Sequence, residues 1–374
     1  MAIVALVVIG AIVTGTFFMS TIEQRTSINA AYTSRALEAA EAGMNSAVGG
    51  WVPVSYTPGT DVVFSKTQVS ATSVGDSFQV TVSPLNSELL LVKSVGTSIG
   101  GVTQTLATAV RLNTADVNVT AAITTTSPIN FNGAAFVIDG NNADPNGWGG
   151  CPPGPNLYAI RTSSNNWFVP PMQQNQQDNV TGLGNWPSVQ TNQNDISSST
   201  FENFGDLTYN QMAAAATIQF QSYENGPYQP TPTLNGTRCN YGDRYNWGEP
   251  FRTAGYVAEC QNYFPTIHAY GNLHLNGGSR GQGVLLVDGN LIVDGGFQFY
   301  GLVIAKGSVN LGGTGSDGGK IYGGLFSQNI VINDQSIIQG NASVQYSNCA
   351  ILRALQGGAY PVPLSGHAWT QVYN

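Results

Sequence analysis

The first 22 residues, MAIVALVVIGAIVTGTFFMSTI, carry no charged side chain, and the chain turns polar at Glu23-Gln24-Arg25 with no helix breaker at the junction. No proline occurs before Pro53, and Gly49-Gly50 is a natural terminator. One helix in two parts is therefore predicted over residues 1–50. At 1.5 Å per residue, 48 residues reach roughly 70 Å, and the uncharged part alone spans about 33 Å, enough for a hydrocarbon core of about 30 Å. Such a segment must be covered by lipid or by other protein. A secretory signal peptide needs a basic start, and no Lys or Arg precedes Arg25. A permanent membrane anchor remains open, as does a helix that leaves lipid for a bundle.

The second part, from about Ser27 to Val48, is rich in small residues. Leu37, Ala40, Met44 and Val48 form a stripe suited to docking on a globular domain. Ala36, Ala39, Gly43 and Ala47 form a second, smaller stripe. It either lets like helices approach closely or widens the docking face. Thr14-Gly15-Thr16 is the weakest helical stretch, a place where local unwinding in a polymer is expected.

The stretch TIEQRTSINAAYTSRALEAAEAGMNSAV resembles the N-terminal region of PilX-type, type IV pilin-like proteins: a Glu-Arg pair (Glu23, Arg25) after the apolar run, and Ala39-Ala40-Glu41-Ala42-Gly43 near the helix end. The likeness covers about 50 residues. It implies an α+β fold in which a long N-terminal pilin-type helix precedes a β-rich head. It also implies insertion in the inner membrane, leader processing, the pilus assembly machinery, and packing of copies of the chain into an extracellular, cell-surface filament. The start at Met1 without a basic leader is what a processed precursor would show. Polymer contacts would fall to Met1, Ile3, Leu6, Val8, Ile12, Phe17, Phe18 and Ile22, with Glu23 and Arg25 at the boundary. Many pilins carry a glutamate near the mature N-terminus, whereas Val4-Ala5-Leu6 has no acid. An amine–carboxylate docking step is therefore not carried over.

Only 9% of the residues are charged, and the net charge is −8. No Lys/Arg cluster exists to neutralise phosphates, so nucleic-acid binding is not indicated. Solubility falls to Asn, Gln, Ser, Thr and Gly, as suits an extracellular surface protein. The four cysteines, Cys151, Cys239, Cys260 and Cys349, lack metal-ligand spacing and predict two disulfides. Of three connectivities, Cys239–Cys260 closes a short loop and leaves Cys151–Cys349.

From about residue 51 to 116 the pattern alternates. Asp61–Ser65, Ser77–Ser83, Leu89–Ser94 and Gly101–Leu112 read as four strands of a small antiparallel sheet, with Pro84 ending the second. Residues 117–346 carry a different signature. Leu273, Leu291 and Val309 recur at intervals of 18, in Gly-Asn/Ser-Leu/Val contexts, and Gly283-Val284-Leu285-Leu286 recurs at Gly301-Leu302-Val303-Ile304. A fourth copy is expected at Asn329-Ile330-Val331-Ile332, and an isolated rung at Ile129–Gly140. This phase predicts a β-solenoid-like domain, with corners at Asp288-Gly289 and Asp294-Gly295. A long excursion interrupts it over 141–264, with a helix expected at Leu207–Phe220. Residues 347–374 are expected to pack back, anchored by Trp369.

Little points to an enzyme. No G-x-S-x-G occurs, and His268 and His274, six residues apart on one strand face, would stand too far apart for one metal. Asp288 and Asp294 could cleave glycans on a solenoid wall, but corner duty explains both. Two binding readings remain. Asp139, Asn141, Asp144 and Asn146 alternate oxygens with glycine and can wrap a calcium ion or simply form Asx turns. Trp148, Trp167, Trp186 and Trp247 either pack a satellite core or face outward in adhesion to glycans, minerals or neighbouring subunits. The function expected is a filament-forming structural subunit, a homopolymer; a low-copy minor pilin or a membrane-anchored adhesin is the alternative.

Overall fold

The computed structural model describes residues 2–49, 62–66, 75–85, 89–113, 115–132, 136–149, 151–169, 174–205, 207–221, 226–312, 318–327, 337–339, 342–358, 360–364 and 370–372. The chain forms two compact units, one of residues 1–113 and 360–374, the other of 114–359.

In the first unit, α1 (Ala2–Gly49) runs without interruption through Gly15 and the polar junction. Strands β1 (Val62–Lys66), β2 (Ser77–Pro84), β3 (Leu89–Thr97) and β4 (Thr103–Asn113) form an antiparallel sheet in chain order. Pro84 closes β2, as its missing N–H requires. Two C-terminal strands, Tyr360–Pro363 and Thr370–Val372, pair with the free side of β4, so the last residues complete this sheet. Trp369 lies outside the described residues. One sheet face presents Phe78, Val80, Val82, Leu90, Val92, Leu106 and Val110, all buried. Ala36, Ala39, Ala40, Met44 and Ala47 of α1 are buried too, none above 7% exposure. The small-residue stripe is thus the docking face itself, and its helix-to-helix role in a bundle is not available. Its smallness lets the backbone approach: a methyl on Gly96 of β3 would collide with the Ala36 carbonyl and the Ala40 nitrogen.

The second unit is built on parallel pairing. Strands Thr266–Ala269, Arg280–Val287, Gln298–Ala305 and Lys320–Ser327 lie side by side in one sheet; Leu273–Leu275, Leu291–Val293, Val309–Leu311, Ile337–Gln339 and Asn130–Asn132 lie side by side in a second. Leu273 faces Leu291 and Leu291 faces Val309, so the interval of 18 in the sequence is the pairing register. The interval widens between Gln298 and Lys320, where the sequence inserts the glycine-rich stretch Gly312–Gly319. Ile267, Leu285, Val303 and Leu325 of one sheet and Leu273, Leu291 and Val309 of the other belong to one buried core. Corner asparagines repeat the phase: Asn272 Oδ1 accepts from Asn290 N at 2.8 Å, and Asn290 Oδ1 accepts from Ser308 N at 2.8 Å.

Three expectations need revision. The expected helix Leu207–Phe220 shortens to Tyr209–Ala214, and Ile218–Phe220 instead joins Thr266–Ala269 as a parallel strand. Burying Ile218 and Phe220 on the stack outweighs local helix propensity. The segment Ile129–Gly140 is divided: Asn130–Asn132 pairs with Ile337–Gln339, and Val137–Asp139 pairs with Ser343–Tyr346. His268 and His274 do not share a strand; they lie on Thr266–Ala269 and Leu273–Leu275, in different sheets. The expected copy at 329–332 lies outside the described residues.

Candidate functional site

The uncharged half of α1 is bare on every side. Ile3, Leu6, Val8, Ile12, Phe17, Phe18 and Ile22 expose between 51% and 80% of their surface. Val4, Val7, Ile9, Val13 and Met19, which fill the other sides of the cylinder, are equally open. The helix is long and apolar enough to cross a membrane, and none of its apolar window is buried. Its threonine hydroxyls are bonded within the helix: Thr14 donates to Gly10 O at 2.8 Å, Thr16 to Val13 O at 3.0 Å and Thr21 to Phe18 O at 2.8 Å. Methyl groups on Gly10 or Gly15 would meet nothing in this chain. Glu23 and Arg25 are exposed, and among the described residues neither has an ion-pair partner. Met1 lies outside the described residues.

The docked half is fixed by one ion pair as well as by packing. Arg35 reaches Asp76 at 2.9 Å, and Asp76, buried at the start of β2, also accepts from Ile99 N at 2.9 Å. Gly43 sits against Ser94 and Phe78, and Gly100 against the Tyr32 ring. No local pattern announces the Arg35–Asp76 contact, because its partners are 41 positions apart.

The comparisons with known proteins are sparse. No family model matches the chain, and no curated protein matches it. Among solved structures, the crystal structure of the competence-associated pilin ComZ from Thermus thermophilus is similar at a TM-score of 0.27 and 13% identity, over 91% of this chain and 98% of that one. An overlap of that depth leaves the functional case to this chain's own residues.

The tryptophans separate. Trp247 is fully buried, packs on Phe297 and Phe299, and donates from Nε1 to Arg244 O at 3.0 Å. Trp148 is buried against Phe264 and Tyr300, with Nε1 donating to Pro250 O at 2.7 Å. Trp167 is half-buried beside Phe131 and Phe168. Only Trp186 of these four faces outward, at 50% exposure. The outward-facing reading is corrected for Trp148 and Trp247: large apolar rings are worth more inside a core. The four cysteines pair as Cys239–Cys260 and Cys151–Cys349.

In the oxygen-rich loop, Asp139 Oδ1 accepts from Asn141 N at 2.9 Å, Asn141 Nδ2 at 2.8 Å and Thr181 Oγ1 at 2.9 Å, an Asx turn with one cross-strand bond. Asp144 and Asn146 are exposed. Among the described residues no group of three or more His, Cys, Asp or Glu side chains is placed to hold a metal. Asp288 and Asp294 each hold a histidine from the preceding repeat: His268 Nε2 lies 3.1 Å from Asp288 Oδ2, and His274 Nε2 lies 2.7 Å from Asp294 Oδ2. Lys306 stands 3.8 Å from Asp288 and over the Tyr209 ring. Burial pushes the Tyr209 hydroxyl well above the usual tyrosine range, and the Asp288 charge adds to it. Burial is the largest cause of the same rise at Tyr263 and Tyr300, ahead of the neighbouring Tyr241 and Tyr322 respectively. Each of these carboxylates thus serves a stabilising contact within the stack.

Proposed function

We propose that this chain is a structural subunit of an extracellular type IV pilus-like filament, polymerising through α1 and carrying a β-rich head. The observation that carries this reading is the bare apolar half of α1. Successive helical residues are set about 100° apart, so Ile3 to Ile22 is apolar all round. One partner helix would cover one side and leave the rest in water. Lipid covers all sides before assembly, and a ring of neighbouring copies does so afterwards. Internally bonded threonine hydroxyls suit the helix to both surroundings. The docked half ties each helix to its own sheet, so polymerising the helices arrays the heads. Insertion in the inner membrane and use of the assembly machinery follow from the resemblance of the first 50 residues to PilX-type proteins. The two parallel sheets with their 18-residue phase are read as a short β-solenoid. In this reading the protein works as a building element rather than as an enzyme.

Electron microscopy of filaments sheared from the cell surface, with peptide identification of this chain, tests the proposal. This chain is expected as a main component. Its recovery only as an intact membrane protein, with no fibre containing it, overturns the proposal and leaves the anchored adhesin. Recovery at a few copies per filament replaces a homopolymer with a minor pilin.

A further inference from the structure

Lysine and arginine together number 13 in this chain, against 21 acids. Arg161 and Arg280 are held by carboxylates, Asp195 at 3.1 Å and Glu249 at 2.7 Å. Arg252 and Arg353 are not: among the described residues neither forms an ion pair. Both guanidinium groups lie over the same indole, 4.8 Å and 5.6 Å from the centroid of Trp148. The two cations therefore stand no further apart than those distances laid end to end.

Few of their donors are used. Arg252 Nη2 reaches Gln282 Oε1 at 3.5 Å, a long contact, and Arg353 Nη2 donates to the Gly149 carbonyl. The fork of each guanidinium offers about five N–H donors. Glu249 acts on Arg252 through space, but its oxygens are taken by Arg280 at 2.8 and 2.7 Å and by the Phe251 and Val257 nitrogens. Burial first, and then the Arg353 charge, bring Arg252 down to about 10, with Glu249 pulling the other way. The frame around the pair is firm. Trp148 is clamped by its bond to Pro250 O, and Gly147, at φ +77, leaves room for the Arg252 stem. Arg353 stands on the helix Asn348–Gly357, which Cys349 ties to Cys151.

We propose that Arg252 and Arg353 form a clamp over Trp148 that binds an oxyanion, a carboxylate or phosphate group. Two repelling, half-buried cations with open donor forks lack only the group whose planar or tetrahedral oxygens match them. The oxyanion comes either from a free small molecule or from a carboxylate side chain of a second copy of this chain. This inference does not depend on the filament reading.

Isothermal titration of the full chain in detergent micelles at low salt, with inorganic phosphate and with glutarate as probes, tests it. Saturable binding of at least one probe is expected at a single site. Arg353→Gln and Arg252→Gln should each weaken it about tenfold, the loss of one charge-assisted contact. Arg353→Lys, which keeps the charge without the fork, should fall between. Thermal melting of each variant separates lost affinity from lost packing. If Arg252→Gln does not fold, Arg353→Gln alone decides. Absence of saturable binding, or equal affinity in folded Arg353→Gln and wild type, overturns the clamp. Light scattering at saturating probe assigns the source: smaller assemblies point to a carboxylate of a second copy, unchanged assemblies to a free ligand.

Discussion

The two halves of α1 obey the same backbone rules and meet opposite surroundings. From Ile3 to Ile22 large apolar side chains point in every direction and stay more than half exposed. From Ala36 to Ala47 the buried side chains, Ala36, Ala39, Ala40, Met44 and Ala47, are mostly small and are covered by β2, β3 and β4. Large side chains all round need a surrounding medium; small ones on one side need a single close surface. A helix built this way is finished at one end and unfinished at the other, and the unfinished end is what lipid or other protein must cover.

The sharpest way to break this comparison is a charge in the open half. Ile12→Asp places a carboxylate at mid-span, at a cost of about 2.5–3.5 kcal/mol for insertion. Filaments should disappear from electron micrographs, while melting of the β units is unchanged; filaments of normal number would refute the role of this half. Alkali should spare that half and act on the unit of residues 114–359. The buried hydroxyls of Tyr209, Tyr263 and Tyr300 ionise only above the usual tyrosine range when folded, whereas unfolded tyrosine ionises near about 10. Above that pH the unfolded chain holds fewer protons, so stability falls as pH rises. Near-ultraviolet absorbance and circular dichroism should show tyrosine ionisation coincident with loss of the β signal. The stretch before Glu23, with no ionisable side chain, should keep its helix in detergent.

Gly96→Val probes the docked half. The added side chain must push α1 off the sheet, and the first unit should lose about 3 kcal/mol by denaturant melting while the second keeps its midpoint. An unchanged midpoint would show that the close approach is not required. Arg35→Ala leaves the buried Asp76 carboxylate with only the Ile99 N–H, and about 2 kcal/mol should be lost. The smallest effect is expected for Phe18→Ala, whose ring is 64% exposed. The dissociated chain should change by no more than about 0.5 kcal/mol, with the loss seen only in filament yield.

Much of this molecule is legible in one dimension because its interactions repeat along the chain. The uncharged run, the 18-residue phase from Leu273 to Val309, and the alternation in β2 to β4 are all periodic, and period is what a sequence displays. The extent of α1 to Gly49 was readable for the same reason, since no Pro interrupts it and Gly terminates it. Contacts between distant segments left no such trace. Whether Ala36, Ala39, Gly43 and Ala47 serve a neighbouring helix or the chain's own sheet depends on where Gly96 lies. The helix expected at Leu207–Phe220 gave up its last residues to a parallel strand that only the stack offers. Trp148 and Trp186 look alike as letters, yet one is buried and the other open.

By itself, the amino-acid order determined that this protein needs an apolar environment for its leading helix, that a repeating set of short strands follows, and that four cysteines stand ready to pair. The tertiary structure alone decided which face of the helix is consumed internally, which carboxylates are spent on His268, His274 and Arg280, and that Arg252 and Arg353 come to share the Trp148 ring. The physical reason is range. Hydrophobic burial follows patterns of a few residues, whereas charge pairing and steric fit depend on positions that the chain brings together only after it has folded.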